Sequence, residues 1–211
     1  MTTASPRDLL VLHAVRILGF AGAAAVARRF GLDPAETLEE LHDVEARGWV
    51  THAGFAGLEG WSLTTSGRAE NERLLAAELH RVGGAPEVTA VYRDFLPLNG
   101  RLQRACTDWQ LRPVPGDRLA ANDHTNTDWD AAVLEELAVV GQGLAPLAER
   151  LGNFLSRLQG YDERFAAALR RARAGERGWV DRTDVDSCHR VWFELHEDLI
   201  ATLGIDRRSA A

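Results

Sequence analysis

The tripeptide Leu32-Asp33-Pro34, set directly after Gly31, most limits how this chain can fold. Gly31 stops a short Ala-rich helix over residues 21–30, because glycine readily takes the left-handed conformation that closes a helix. Asp33 stands as the cap of the next helix, Pro34 suits its first position, and Glu36 follows three residues after the cap. Leu38, Leu41 and Val44 then recur at helical spacing. Helix, tight turn, helix is the helix-turn-helix pattern. An earlier helix opens at Ser5-Pro6-Arg7-Asp8 with Ser5 as its cap, carries Leu9, Leu12, His13, Arg16 and Ile17 as a stripe, and ends at Gly19.

After the third helix the hydrophobic period changes. Residues 48–52 read as a strand, 53–60 as a glycine-containing connection and 61–64 as the returning strand. Thr65 or Ser66 then caps a helix to about Arg81. The run Leu41-His42-Asp43-Val44-Glu45-Ala46-Arg47-Gly48-Trp49-Val50, followed by Trp61-Ser62-Leu63-Thr64-Thr65-Ser66-Gly67-Arg68, resembles the MarR-type winged helix-turn-helix regulators. In that family, L-x-x-L-x-x-x-G-W/L-V and then L-T-x-x-G-R mark the recognition helix, the wing and the helix that follows. The resemblance covers residues 1–83, about 40% of the chain. It implies a third helix in the major groove and a wing on the flanking backbone of double-stranded DNA. Arg28, Arg29, Thr37 and Arg47 are then the candidate DNA contacts.

Charge argues against indiscriminate nucleic-acid binding. The net charge is −7, and every one of the 24 basic residues is Arg. Residues 1–83 hold 8 Arg against 11 Asp and Glu, and the remainder 16 against 20. The third helix carries Glu36, Glu39, Glu40, Asp43 and Glu45, so any grip on phosphate must come from local clustering of arginines.

Gly83-Gly84-Ala85-Pro86 marks a boundary, and residues 84–211 read as an α-helical effector-binding or dimerisation domain. The expected elements are a helix pair or kinked helix from Glu87 to Gln110 interrupted near Pro97, and a helix from Asp128 to Val140 capped by Thr127. Beyond Gly141-Gln142-Gly143 a further helix is expected over 145–159, then one over 162–174, and a last one capped by Thr183 or Asp184 and reaching Leu203. No apolar run approaches the roughly 20 residues that span a bilayer. The polar start is not a secretory signal, and two cysteines suit a reducing, cytoplasmic setting.

Three segments mix aromatics with hydrogen-bonding groups, as small-molecule pockets do: 106–110, 122–129 and 186–197. Their candidate ligand-binding residues are Asp108, Trp109, Asp123, His124, His189, Trp192 and His196. The plain alternative is capping and core packing. Arg164, Arg170, Arg171, Arg173 and Arg177 form a basic cluster, read as a solvated face or an anion site. No nucleophile motif, phosphate loop or zinc signature is present, so neither a catalytic residue, a metal nor a cofactor is assigned. The sequence therefore points to a mainly α protein, a winged helix-turn-helix (three helices plus a two-stranded wing) followed by an α-helical domain. Its expected role is a homodimeric, ligand-responsive DNA-binding regulator. The alternative is a winged-helix protein that binds a small molecule or a protein instead of DNA, with an enzyme using the polar segments as a remote third.

Overall fold

The computed structural model describes residues 2–55 and 57–205. The chain is mainly helical, with eight α-helices and one two-stranded antiparallel sheet among the described residues. It divides into two compact units. The first takes the described residues up to Pro86, the stretch Phe154–Arg157 and those from Glu197 on; the second takes Glu87–Asn153 and Leu158–His196.

In the first unit, α1 (Arg7–Leu18), α2 (Ala23–Phe30) and α3 (Pro34–Ala46) precede strands β1 (Val50–Phe55) and β2 (Leu58–Leu63) and helix α4 (Thr65–Arg81). The turn between α2 and α3 forms as the sequence requires. Gly31 is left-handed at φ 64°, and the Asp33 carboxylate accepts from Ala35 N at 2.9 Å and Glu36 N at 3.0 Å. Helix α1 begins one residue after Pro6 without a side-chain cap, so Ser5 does not serve as one. The strands pair from Val50↔Leu63 out to Phe55↔Leu58 and absorb most of the expected connection. Trp61 is 6% exposed in a core with Leu12, Val15, Val26, Leu41, Val44 and Val50, whereas Trp49 precedes β1 and is only partly buried.

A knot of hydrogen bonds fixes the start of α4. Thr64, not Thr65 or Ser66, is its cap: Oγ1 accepts from Gly67 N at 3.0 Å and itself donates to Gly48 O at 2.7 Å. Ser66 Oγ donates to the same carbonyl at 2.8 Å. Gly67 must lack a side chain, because a Cβ there would stand 1.8 Å from Trp49 O.

The first unit also holds a buried ionic network that the linear domain boundary at 83/84 does not foresee. Asp198, on the last turns of α8 (Cys188–Leu203), is 0% exposed. It accepts from Arg157 Nη1 and lies 2.9 Å from His13 Nε2. Arg157 donates further to Glu78 at 2.8 Å and Thr202 at 2.9 Å, and Arg16 pairs with Glu197 at 2.9 Å. Residues 154–157 and 197–203 therefore belong with α1 and α4, because they supply the counter-charges for side chains buried there. A backbone bridge from Thr3 N to Phe154 O at 2.9 Å supports the same return.

In the second unit, α5 (Ala85–Gln110, of which residues from Glu87 belong here) and α6 (Thr127–Gly152) are each continuous, where two interrupted helices were expected. Pro97 and Pro146 lie inside them. The Gly-Gln-Gly segment is a packing site rather than a break: a Cβ at Gly141 would meet Phe165 at 3.2 Å, and one at Gly143 would meet Leu98 at 3.0 Å. Asn126, not Thr127, caps α6 through Trp129 N at 3.0 Å. Next come a 3₁₀ turn to Leu158, α7 (Tyr161–Arg173), a second 3₁₀ turn (Arg177–Trp179) and α8, which Ser187 caps by accepting from Arg190 N at 3.1 Å.

Contrary to the expectation of no such segment, α6 is long and apolar enough by length and composition to cross a membrane, with mean hydropathy 1.3. Its Val133, Leu137, Val140, Leu144 and Leu151 are buried, and Glu136 pairs with Arg101 at 2.6 Å, the pattern of a core helix.

The network carries a pH signature. Burial opposes the Asp198 charge, but Arg157, His13 and Arg29 outweigh it and hold this carboxyl well below the usual range. A folded-state value below the unfolded one adds stability above about pH 4, and that stability is lost as the pH falls toward the folded value. Asp198→Asn is expected to cost roughly 3 kcal/mol at pH 7 by leaving Arg157 under-compensated. The gap between wild type and variant should narrow in urea titrations from pH 5 to pH 3, and a gap constant across that range would contradict the assignment.

Candidate functional site

Within the second unit, the end of α5 and the loop to α6 build a small cleft. Backbone bonds from Arg112 N to Ala120 O (2.9 Å) and Asn122 N to Gln110 O (2.8 Å) close the loop on itself. Asn122 is buried and fully used. Its Nδ2 donates to Trp109 O at 3.0 Å and Asp130 Oδ1 at 2.9 Å, while its Oδ1 accepts from His124 N at 3.1 Å. This turn holds His124 at φ 59°, the one non-glycine residue at positive φ among the described residues. Such a conformation is unfavourable for a histidine and persists only where its surroundings impose it.

The His124 ring leans on Trp109, with centroids 4.6 Å apart, and its Nδ1 lies 2.9 Å from Asp130 Oδ2. A carboxylate at Nδ1 assigns a proton to that nitrogen and leaves Nε2 on the far side of the ring. No bond to Nε2 occurs among the described residues. The 3₁₀ turn after α7 brings Arg177, whose Nη2 reaches His124 O at 3.3 Å, and Asp181, which accepts from Gln110 Nε2 at 2.8 Å. Trp109, Gln110, His124, Arg177, Gly178 and Asp181 line a cleft of about 310 Å³. That is room for a small molecule at the lower end of ordinary ligand sites.

Of the residues expected to bind a ligand, only Trp109 and His124 line this cleft. Asp108 is exposed and offers its backbone carbonyl, which accepts from the Trp129 indole N–H at 2.6 Å. Asp123 orders the loop by accepting from Thr125 N at 3.0 Å and Thr125 Oγ1 at 2.8 Å, contacts that lower its carboxyl from the ordinary value. Trp192 is core, stacked on Phe95 at 4.7 Å with its indole N–H on Asn99 at 2.9 Å. His196 stands beside Phe95 at 5.3 Å, and His189 is half-buried with its backbone N–H on Val180 O. The third polar segment is thus an aromatic core seam rather than cleft lining. Asn122, Asp130, Gln110, Arg177 and Asp181 were missed as site residues. Gln110 and Asn122 lie within the polar segments 106–110 and 122–129 and Asp130 directly follows the second, Arg177 was visible solely as part of a basic run, and Asp181 carried no signal.

Three members of that run form ion pairs. Arg164 meets Asp186 at 3.0 Å and Glu194 at 2.8 Å, while Arg173 meets Glu135 at 2.9 Å. Arg171 pairs with Glu176 at 2.6 Å and covers Trp179 at 3.9 Å.

On the first unit the candidate DNA contacts divide. Arg28 and Arg47 are exposed, Arg47 lying 5.1 Å over the Trp49 ring. Thr37 is 0% exposed and donates to Asp33 O at 2.7 Å, so it has no surface to offer. Arg29 turns inward over Phe30 at 4.6 Å, with its Nε and Nη2 buried and its charge acting on Asp198. The acids of α3 are also less free than their number suggests. Glu36 pairs with Arg7 at 2.9 Å, Glu45 accepts from His52 N at 2.9 Å, and Glu40 is half-buried. Glu39 and Asp43 remain exposed on the same helix.

No family model, no curated protein and no solved structure matches the chain.

Burial raises the thiols of Cys106 and Cys188 to about 12, Asp181 adding to the first and Cys106 to the second, so neither is a thiolate nucleophile near neutral pH. In the native protein at pH 8, Ellman's reagent should label neither thiol within minutes, and unfolding should expose both. Labelling of the native protein at the rate of free cysteine would contradict this placement.

Proposed function

We propose that the first unit is a winged helix-turn-helix of the MarR-like kind and that the protein is a ligand-responsive, DNA-binding regulator of the cytoplasm. The observation that carries this reading is the element order: three helices with an Asp33-capped turn, an antiparallel ribbon, and a helix locked to the ribbon's base by Thr64, Ser66 and Gly67. α3 stands where such proteins carry their recognition helix, and the ribbon stands where they carry the wing. Glu36 pairs with Arg7 and Glu45 accepts only a backbone N–H, so the acids of α3 still outnumber the exposed Arg28 and Arg47 beside them. Two arginines make a weak phosphate grip, which is why the reading includes a homodimer that doubles it. The effector is a small molecule taken in the His124 cleft.

A second reading, docking to a protein instead of DNA, is favoured by one observation: the ribbon from Val50 to Leu63 carries no basic residue except His52, and Leu58 is 66% exposed on it.

Anisotropy titrations with a duplex of the protein's own promoter region, over a series of salt concentrations, separate the two. Four phosphate contacts in a dimer give a slope of log K against log salt of about −3.6. Arg28→Ala with Arg47→Ala should flatten that slope and weaken binding to all sequences alike, while Arg29→Ala should act on stability instead. Absence of any retention at low salt would remove the DNA reading and leave the protein-docking one.

A further inference from the structure

Resting on the reading of the cleft as an effector site, we propose that its occupant is a small organic anion that also carries a hydroxyl, with the anionic group held by Arg177 and His124. The argument is an inventory of which polar groups are already used. Asp130 is occupied by Asn122 Nδ2 at 2.9 Å and by His124 Nδ1 at 2.9 Å. One oxygen of Asp181 accepts from Gln110 at 2.8 Å. The cation of the lining, by contrast, is barely engaged. Arg177 is exposed, and its guanidinium makes a single long contact of 3.3 Å to a carbonyl. His124 directs Nδ1 at a carboxylate and keeps Nε2 free of the described residues. A guanidinium left this open in a cleft recognises a group rich in lone pairs, and a carboxylate or a phosphate monoester fits its fork best.

The dyad sharpens the choice. Asp130 holds the ring from the Nδ1 side at 2.9 Å and leaves Nε2 to meet the occupant. The positive φ of His124 is consistent with a ring held in place for contact rather than for packing, since an asparagine would occupy that backbone with less strain. The free oxygen of Asp181 then accepts a hydroxyl of the same molecule, and about 310 Å³ admits a single ring between the two ends.

The test uses 4-hydroxyphenylacetate and tyramine, which share ring and hydroxyl and differ in the sign of the other end. The full-length protein is titrated with each, with imidazole ¹⁵N resonances as the readout and His124→Asn to assign the His124 signals. The carboxylate should shift the Nε2 resonance of His124, and Arg177→Gln should weaken it about tenfold, the loss of one charge-assisted hydrogen bond. Tyramine should leave the resonance unmoved. Asn accepts the left-handed backbone, so His124→Asn should keep the thermal melt of the wild type while abolishing carboxylate binding, read for this variant by titration calorimetry. Tyramine binding with the carboxylate silent would overturn the anion inference and leave the effector-site reading intact. Silence of both, or carboxylate binding unchanged in Arg177→Gln and His124→Asn, would overturn both.

Discussion

A carboxylate with no exposure to water cannot stay ionised unless a cation meets it from within, and Asp198 is met by Arg157, with His13 Nε2 at 2.9 Å beside it. The return of residues 154–157 and 197–203 to the first unit follows from that need. Arg157 precedes α7 in the chain and Asp198 lies near its end, yet both sit against α1 and α4, where Glu78 and Asn71 complete the hydrogen bonds. The apolar contact of Leu9 and Leu75 with Ala201 seals the same seam. A three-helix and ribbon unit of this size buries a modest core by itself. The returning segments enlarge it, and the ionic network sets the register at which they return. Direction matters as much as strength: mispairing by one helical residue would leave a buried charge without a partner.

Most of the first unit was legible because its signals are local. Asp33-Pro34 acts within one turn, and Gly67 is required by a carbonyl on its immediate neighbour in space, Trp49. The network was not legible, because Arg157 and Asp198 look like ordinary surface charges in sequence and acquire meaning only from side chains more than 40 positions away. The breaks expected at Pro97 and at Gly141-Gln142-Gly143 failed for a related reason. Local propensity there favours interruption, but Phe165 and Leu98 pack on the glycines and tertiary packing carries the helices through.

The candidate site was half legible. Trp109 and His124 stand out as an aromatic and a titratable residue among polar neighbours. Trp192 and His196 gave the same signal and proved to be core, stacked with Phe95. Composition alone does not distinguish a polar group satisfied within the fold from one left open; the hydrogen-bond inventory does. By that inventory Asn122 and Asp130 are closed, whereas Arg177 and His124 Nε2 are open. The proposed division of labour is therefore a rigid, ion-locked unit for output and a cleft with spare donors for input.

The central claim is that Arg157 and Asp198 act as one buried unit, and a double-mutant cycle tests it most directly. Arg157→Met and Asp198→Leu each strand a charge and should separately cost about 3–5 kcal/mol in denaturant titrations. The double variant strands neither of the two, although Glu78 still loses Arg157, and should be less destabilised than the sum by at least about 2 kcal/mol. Additivity to within about 0.5 kcal/mol would mean that the two groups are not coupled. The structure of the first unit would then need another explanation for the return of residues 154–157 and 197–203.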